Sequence, residues 1–246
     1  MLNKKTIKFY AAEENIYQVE QPPMPAKLAI PEWFKKIPAE DSSMKWGDPR
    51  DAATVKKCMP FLDSLTAGYM VVTPQDIKVS KNETNGTMAY WGFTPPGADV
   101  LFDLDKPLHR TQDMPVPHGY NQYVWRMIAY PRVETPKGYS MIVTHPFNRY
   151  DLPFLTMTGI VDSDQVQARL AINMWLRDDF EGIIEKGTPI AQIFPFKRED
   201  WVHESLPPFS KKRDLQDTFK VRSVMNRSYM RQFWQKKSYE KILNMI

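Results

Sequence analysis

Two aspartates, Asp162 and Asp164, stand two residues apart in Gly159-Ile160-Val161-Asp162-Ser163-Asp164. Alternate residues of an extended strand point to one side, so a strand carried through this segment would put both carboxylates on one face, where their oxygens could hold a divalent cation. A polar turn between two strands accounts for the same spacing. His109, His118, His145 and His203 are the only histidines, and with Asp103, Asp105 and Asp113 they supply the ingredients of a two-histidine, one-carboxylate metal site. The His-x-His or His-x-Asp spacing along one strand is missing, which favours satisfied or surface histidines over ligands. His118-Gly119, at the entrance to a strand, is the best placed of the four for chemistry.

Several reaction classes have no support. The chain contains no Gly-x-Ser-x-Gly elbow, Walker loop, dinucleotide fingerprint or His-Glu-x-x-His helix, the motifs that carry the standard hydrolase, kinase, dehydrogenase and zinc-protease chemistries. Cys58 is the only cysteine, so an intrachain disulfide and a multi-cysteine zinc site are excluded. It is expected to be a buried, inert thiol.

The elements that must position these groups are mostly strands. Twenty-one prolines against ten glycines, with 13% aromatic residues, describe short strands and extended connections better than long helices. Strand-length apolar runs occur at Tyr123–Tyr130, Tyr139–Thr144, Phe154–Val161, Val166–Trp175 and Ile190–Phe194, separated by Pro, Gly, Asn and Asp. Five strands at this spacing suit a sandwich or barrel. Upstream, Tyr69–Val72 reads as a strand, and Asn85-Gly86 as the turn of a hairpin that starts near Asp76.

The flanks read differently. Thr6–Tyr10 alternates as an edge strand, Pro22-Pro23-Met24-Pro25 is extended, and Pro31 to Pro38 frames one or two helical turns whose Trp33, Phe34 and Ile37 pin the arm to the body. Ala53 to Leu65 is a short helical stretch interrupted by Pro60. The expected organisation is an N-terminal arm over 1–50, a β domain over 51–206 with an irregular loop at 94–118, and a helical tail over 207–246.

With 246 residues and ordinary apolar and charged content, the chain can bury one sizeable core. It has no run of 18 apolar residues, and no apolar segment follows Met1-Leu2-Asn3-Lys4-Lys5, so a soluble, cytoplasmic protein without a membrane partner is expected. Net charge is only +4, but Lys211 to Lys241 carries ten basic residues against Asp214, Asp217 and Glu240. Tyr229, Phe233, Trp234 and Tyr239 among those lysines could stack on bases, yet their irregular helical spacing favours a packing face, for instance across a neighbouring subunit, over nucleic acid.

Three segments carry a resemblance. Pro136-Lys137-Gly138-Tyr139-Ser140-Met141-Ile142-Val143 resembles the turn and barrel strand of dUTPases and dCTP deaminases; Gly159-Ile160-Val161-Asp162-Ser163-Asp164 resembles their Gly-Val-Ile-Asp-x-Asp motif; and Glu185-Lys186-Gly187-Thr188-Pro189-Ile190-Ala191-Gln192-Ile193 is similar to their closing Gly-Asp-Arg-Ile-Ala-Gln-Leu element. The resemblance implies a mainly β fold, a dUTPase-like antiparallel β-barrel or jelly roll, and an oligomer. It also implies Asp162 as the carboxylate that orients an attacking water, with Mg2+ as the cofactor of a nucleoside triphosphate pyrophosphatase. The phosphate or ligand contacts would be Arg149, His145 and Asn148, together with Gln192 from the closing element. Three departures weaken the catalytic half: Gln165 stands where a sugar-stacking tyrosine is expected, His145 to Tyr150 lacks the serine and glycine of the phosphate cradle, and no glycine follows Gly187 to form a closing arm. From Ile30 to Trp201 the chain is also similar to an uncharacterised family of tailed phages and bacteria. The leading expectation is therefore a β-barrel binding or assembly protein with an eroded nucleotide site, the alternative a metal-dependent pyrophosphatase.

Overall fold

Leu170, Ile172, Met174 and Leu176 recur at every second position and all four are buried, the pattern of a strand that turns one whole face into a core. The computed structural model of the chain describes residues 5–10, 22–43, 53–74, 76–82, 86–91, 114–166, 169–208, 215–216 and 228–240. Within them the strands are β1 (Lys8–Tyr10), β2 (Met24–Pro25), β3 (Tyr69–Val72), β4 (Ile77–Asn82), β5 (Gly86–Trp91) and β6 (Tyr120–Glu134). They continue with β7 (Tyr139–Thr144), β8 (Phe154–Thr156), β9 (Gly159–Val161), β10 (Arg169–Arg177), β11 (Gly182–Ile184) and β12 (Pro189–Lys197). Short α-helices accompany them, among them α1 (Glu32–Lys36), α2 (Met59–Thr66) and α3 (Ser228–Gln232).

The protein is mainly β, and its pairings are antiparallel. One sheet runs β1-β6-β10-β8, a second β2-β3-β12-β7-β9, and a small third β11-β4-β5. All three feed a single apolar interior: Ile172 and Met174 from the first meet Met141, Val143 and Ile193 from the second and Val79 and Ile184 from the third. Burying these side chains between facing sheets is what holds the layers together. Among the described residues no sheet closes on itself, which corrects the expectation of a closed barrel. The reason lies in Phe154–Val161, expected as one strand. It splits at Met157 and Thr158, so that β8 pairs with β10 in the first sheet while β9 pairs with β7 in the second. The corner is fixed by the Met157 N–H on the Asn173 carbonyl at 2.8 Å and by Thr144 Oγ1 against Thr158 Oγ1, also at 2.8 Å.

A proline sets a second irregularity. Arg132 pairs with Arg169 but Ala129 with Leu170, leaving Tyr130 and Pro131 of β6 as a bulge. Pro131 has no N–H to give a ladder, and a bulge is where a strand tolerates that. Pro195 in β12 follows Ile193, the last residue of β12 that pairs with β3, so there β12 has β7 on one side only. Gly68 enters β3 at φ +72°, and a Cβ there would lie 2.1 Å from the Ile193 carbonyl oxygen. Only glycine fits that crossing.

The N-terminal arm is pinned as its aromatics foretold. Phe34 is buried and stacks on Phe61 of α2 at 5.8 Å, while Lys56 lies 4.6 Å over the Phe34 ring and donates to the Phe34 carbonyl at 2.7 Å. The N-terminal edge strand is β1, held to β6 by Lys8 Nζ and the Tyr10 hydroxyl donating to the Glu134 carboxylate at 2.7 and 2.6 Å. Pro60 lies in the first turn of α2 and starts the helix instead of interrupting it. Cys58 caps that start and is exposed, correcting the buried thiol expected from sequence.

The tail, expected as a broken basic helix, is helical over only part of its described residues. Ser228–Gln232 is helical, but 233–240 runs without regular structure, because its side chains reach different elements of the body. Trp234 Nε1 donates to both carboxylate oxygens of Asp63 in α2 at 3.0 and 2.9 Å, Lys237 Nζ reaches the same carboxylate at 2.6 Å, and Tyr239 meets Tyr69 edge-on at 5.9 Å. Trp234 and Tyr239 therefore dock on their own chain, whereas Phe233 stays exposed. The irregular loop expected over 94–118 lies, up to residue 113, outside the described residues.

Candidate functional site

The residues that could do chemistry gather at the two ends of β7. At its first end the β7–β9 register sets Met141 opposite Val161, which brings Asp162 beside Ser140. The Ser140 hydroxyl donates to Asp162 Oδ1 at 2.6 Å. Beyond Val161 the chain leaves the strand and turns, with the Gln165 N–H on the Asp162 carbonyl at 3.0 Å, so Asp162 and Asp164 belong to a polar turn and not to one strand face. What joins the two carboxylates is Arg198, the first residue after β12. Its Nη1 donates to Ser140 Oγ at 2.8 Å, Asp164 Oδ1 at 2.9 Å and Asp162 Oδ1 at 3.3 Å, while Nη2 donates to Asp164 Oδ2. The Gly138 N–H completes the set on Asp164 Oδ2 at 2.7 Å. The cation held by the aspartate pair is thus a guanidinium.

Burial and charge separate the two acids. The Asp164 side chain is 1% exposed, and the Arg198 guanidinium beside it holds its carboxyl far below the usual carboxylate range. Asp162, by contrast, is exposed and keeps a solvent-facing carboxylate. Arg198 is the member that sequence reading missed. It sits in the charged run Lys197-Arg198-Glu199-Asp200, which reads as a solvated strand end, and its partners lie 34 and 36 residues upstream.

At the other end of β7 stand His145, Asn148, Arg149 and Gln192. Gln192 pairs with Thr144 across β12 and β7, and its side chain is fully buried. Its amide nitrogen donates to the Ser64 and Ala67 carbonyls at 2.9 and 2.7 Å, serving the end of α2 where helical carbonyls lack partners; its oxygen accepts the Phe147 N–H at 2.9 Å. Gln192 is a clamp between helix and loop, with no group turned outward to a ligand. His145 is buried as well. Its Nδ1 accepts the Thr156 N–H at 3.2 Å, which requires Nε2 to carry the proton it gives to the Arg149 carbonyl at 3.0 Å. Burial lowers its pKa, so the ring is a neutral strut with both nitrogens engaged.

Asn148 takes the left-handed conformation at φ +60°, one that asparagine tolerates, and its amide donates to Ser64 Oγ at 2.7 Å. Arg149 forks onto Asp151, with Nε to Oδ1 and Nη2 to Oδ2 both at 2.9 Å. The four residues are brought together, but by one another, α2 and Asp151. The signal for the histidine and glutamine roles was present in outline: both lie within or just beyond apolar strand runs, where a polar side chain must find internal partners.

Asp162 stands beside Ser140 and the phosphate candidates begin at His145. At the ~3.4 Å rise of an antiparallel strand the two groups are about 17 Å apart along β7. Within one chain Asp162 and the group that begins at His145 therefore stand at opposite ends of β7. Of the other histidines, His118 and His203 are exposed, and His109 lies outside the described residues. Among the described residues no three His, Cys, Asp or Glu side chains form a group able to hold a metal ion, and no helix is long and apolar enough to cross a membrane. No family model matches the chain, and no curated protein matches it in sequence.

Proposed function

We propose that this chain is a binding or assembly protein, a cytoplasmic homo-oligomer on a dUTPase-like jelly-roll scaffold whose nucleotide site has degenerated. A phage origin, as the wider resemblance implies, places it in the host cytoplasm. The observation that carries the reading is the internal engagement of the candidate groups: Gln192, His145 and Arg149 are spent on α2, the backbone and Asp151, and Asp164 on Arg198. Arranged this way they make a rigid scaffold, and a rigid scaffold presents surfaces. The docking of Trp234 and Tyr239 on the body likewise supports a packing role for the tail over base stacking.

A Mg2+-dependent nucleoside triphosphate pyrophosphatase is the second reading, and the exposed Asp162 carboxylate is the observation in its favour. Purified protein with Mg2+ is screened against the common ribo- and deoxyribonucleoside triphosphates by pyrophosphate release. The expected result is no turnover above the metal-only blank. Turnover that disappears in Asp162→Ala would replace the first reading with the second.

A further inference from the structure

Charge is unevenly laid along this chain. Glu199 to Pro208 carries three acids and no lysine or arginine, whereas in Lys211 to Lys241 the bases exceed the acids by seven. Together the two segments account for the whole net charge of +4, so the body balances to zero. The acidic segment is an arm whose every residue is exposed, with Trp201 86% exposed, Val202 100% and Leu206 72%. A chain that holds three such apolar side chains in water leaves them for something else to cover. Glu199 is held by Lys197, but Asp200 and Glu204 have no cationic partner among the described residues.

The basic tail has the complementary set. Trp234 and Tyr239 turn to the body, but Met230 is 41% exposed and Phe233 45%. The Phe233 N–H on the Tyr229 carbonyl at 3.0 Å closes a helical turn, so Met230 and Phe233, three residues apart, lie on one side of it. Lys237 is taken by Asp63, whereas the exposed Arg231 and Lys236 meet no carboxylate among the described residues.

Within one chain these two surfaces are rooted apart. The arm starts at Arg198, strapped to Ser140 and Asp164, while the tail is fastened to Asp63 of α2 and to Tyr69, which lies opposite Ile193. Lys197 pairs with Tyr139 and Gln192 with Thr144, so the two roots are about 17 Å apart along β12 at ~3.4 Å per residue. Since the arm, Met230 and Phe233 all stay exposed, neither surface covers the other in the same chain. Roots at opposite ends of one strand suit a two-fold pair: a second copy turned end for end brings each arm to the other's tail, and the same contact is made twice.

We propose that the chain forms a two-fold homodimer in which the arm of each copy packs on the tail of the other, Trp201, Val202 and Leu206 covering Met230 and Phe233. Asp200 and Glu204 face Arg231 and Lys236 across the contact, and opposite charge selects the tail over the neutral body. The inference rests on the assembly reading above and names its interface. Light scattering on size-exclusion fractions gives the mass of the natural chain and of three variants: Trp201→Ser/Val202→Ser/Leu206→Ser, Asp200→Lys/Glu204→Lys, and the latter combined with Arg231→Glu/Lys236→Glu. The natural chain is expected to be a dimer, the first two variants to fall to the mass of one chain, and the combined charge swap to restore the dimer. Circular dichroism should not change in any of them, since every substituted side chain is exposed.

Contact is read in a Cys58→Ser background by co-expressing a chain that carries Ser205→Cys with a tagged chain that carries Gln235→Cys and adding a short bis-maleimide. Each chain then has one thiol, so the mixed product forms only between copies; tagged Ile183→Cys, another exposed position, is the control. A yield above the control supports the pairing, and a yield equal to it overturns the pairing. A natural chain that runs as a monomer overturns the proposal together with the self-assembly reading. An oligomer that persists in the first variant, or a charge reversal that the swap does not rescue, overturns the arm–tail contact and leaves assembly standing.

Discussion

Arg198 grips Asp164 with both terminal nitrogens, one on each carboxylate oxygen, and ties the end of β12 to the turn after β9. The pair is a strap between neighbours of β7, and its worth depends on the charge of Asp164. Because the folded-state pKa of Asp164 is depressed, the contribution is present above the unfolded value of about 4 and is lost as pH falls below it. Asp164→Asn is expected to lower the melting temperature at pH 7, with the gap to the natural protein narrowing as the pH is taken below about 4. Asp162→Asn should cost less, as that carboxylate is exposed. Arg198→Lys, which keeps the charge and loses the planar fork, should fall between. Thermal melts across pH decide it, and a gap that does not narrow in acid speaks against the strap.

His145 makes a prediction with the opposite chemistry. A buried imidazole whose pKa is lowered resists protonation in the folded state, whereas the unfolded chain takes up its proton near pH 6.5. Its presence therefore costs stability as pH falls through about 6.5 and costs nothing above. Nitrogen-edited NMR at pH 7 should show a protonated Nε2 and a bare Nδ1 for this ring, titrating below the free value and unmoved by added phosphate. A ring that titrates at or above the ordinary value, or shifts with phosphate, would return His145 to the list of anion contacts.

How far these roles were legible in the sequence follows from the range of the signals. β7 was read to the residue, since Tyr139–Thr144 is bounded by Pro136, Gly138 and Pro146 and needs no distant partner to be a strand. The arm helix, the β4–β5 hairpin and the edge strand β1 are local in the same sense, although Gly86, read as part of the turn, is the first residue of β5 and pairs with Asn82. The division of Phe154–Val161 between two sheets was not legible, for its apolar pattern is continuous and only Asn173 and Thr144 mark the corner. Aspartates at 162 and 164 could be found by spacing, but the arginine that joins them lies just beyond the end of β12. The tail's composition announced a packing face; which face it covers depends on Asp63 and Tyr69, more than 150 residues away, as the separations of 171 positions between Trp234 and Asp63 and between Glu240 and Tyr69 record.

Gln192 shows the same limit in energetic form. If it is the clamp described above, Gln192→Leu keeps the volume and strands the Ser64 and Ala67 carbonyls and the Phe147 N–H in a dry interior. Unpaired buried groups of this kind cost ~1–3 kcal/mol each and are not additive, so a loss of about 3 kcal/mol is expected in urea unfolding. A change below ~0.5 kcal/mol, the range of neutral surface substitutions, would mean the amide is not structural and would reopen a ligand role.

Trp234 tests the tail. Its indole N–H on Asp63 is the one contact of this segment that a phenylalanine removes while keeping an aromatic ring against the body. A hydrogen bond to a charged acceptor at a part-exposed site is worth about 1 kcal/mol, which corresponds to roughly a fivefold rise in the population of released tail. Trypsin reports that release directly, because Arg231, Lys236 and Lys237 flank the docked ring. Under conditions where opening is fast relative to cleavage, Trp234→Phe should be cut at these sites several times faster than the natural chain while the β domain survives, and Asp63→Ala, which also frees Lys237, should be faster still. Equal cleavage rates in all three proteins would show that the tail is held by its rings alone, Tyr239 on Tyr69 foremost.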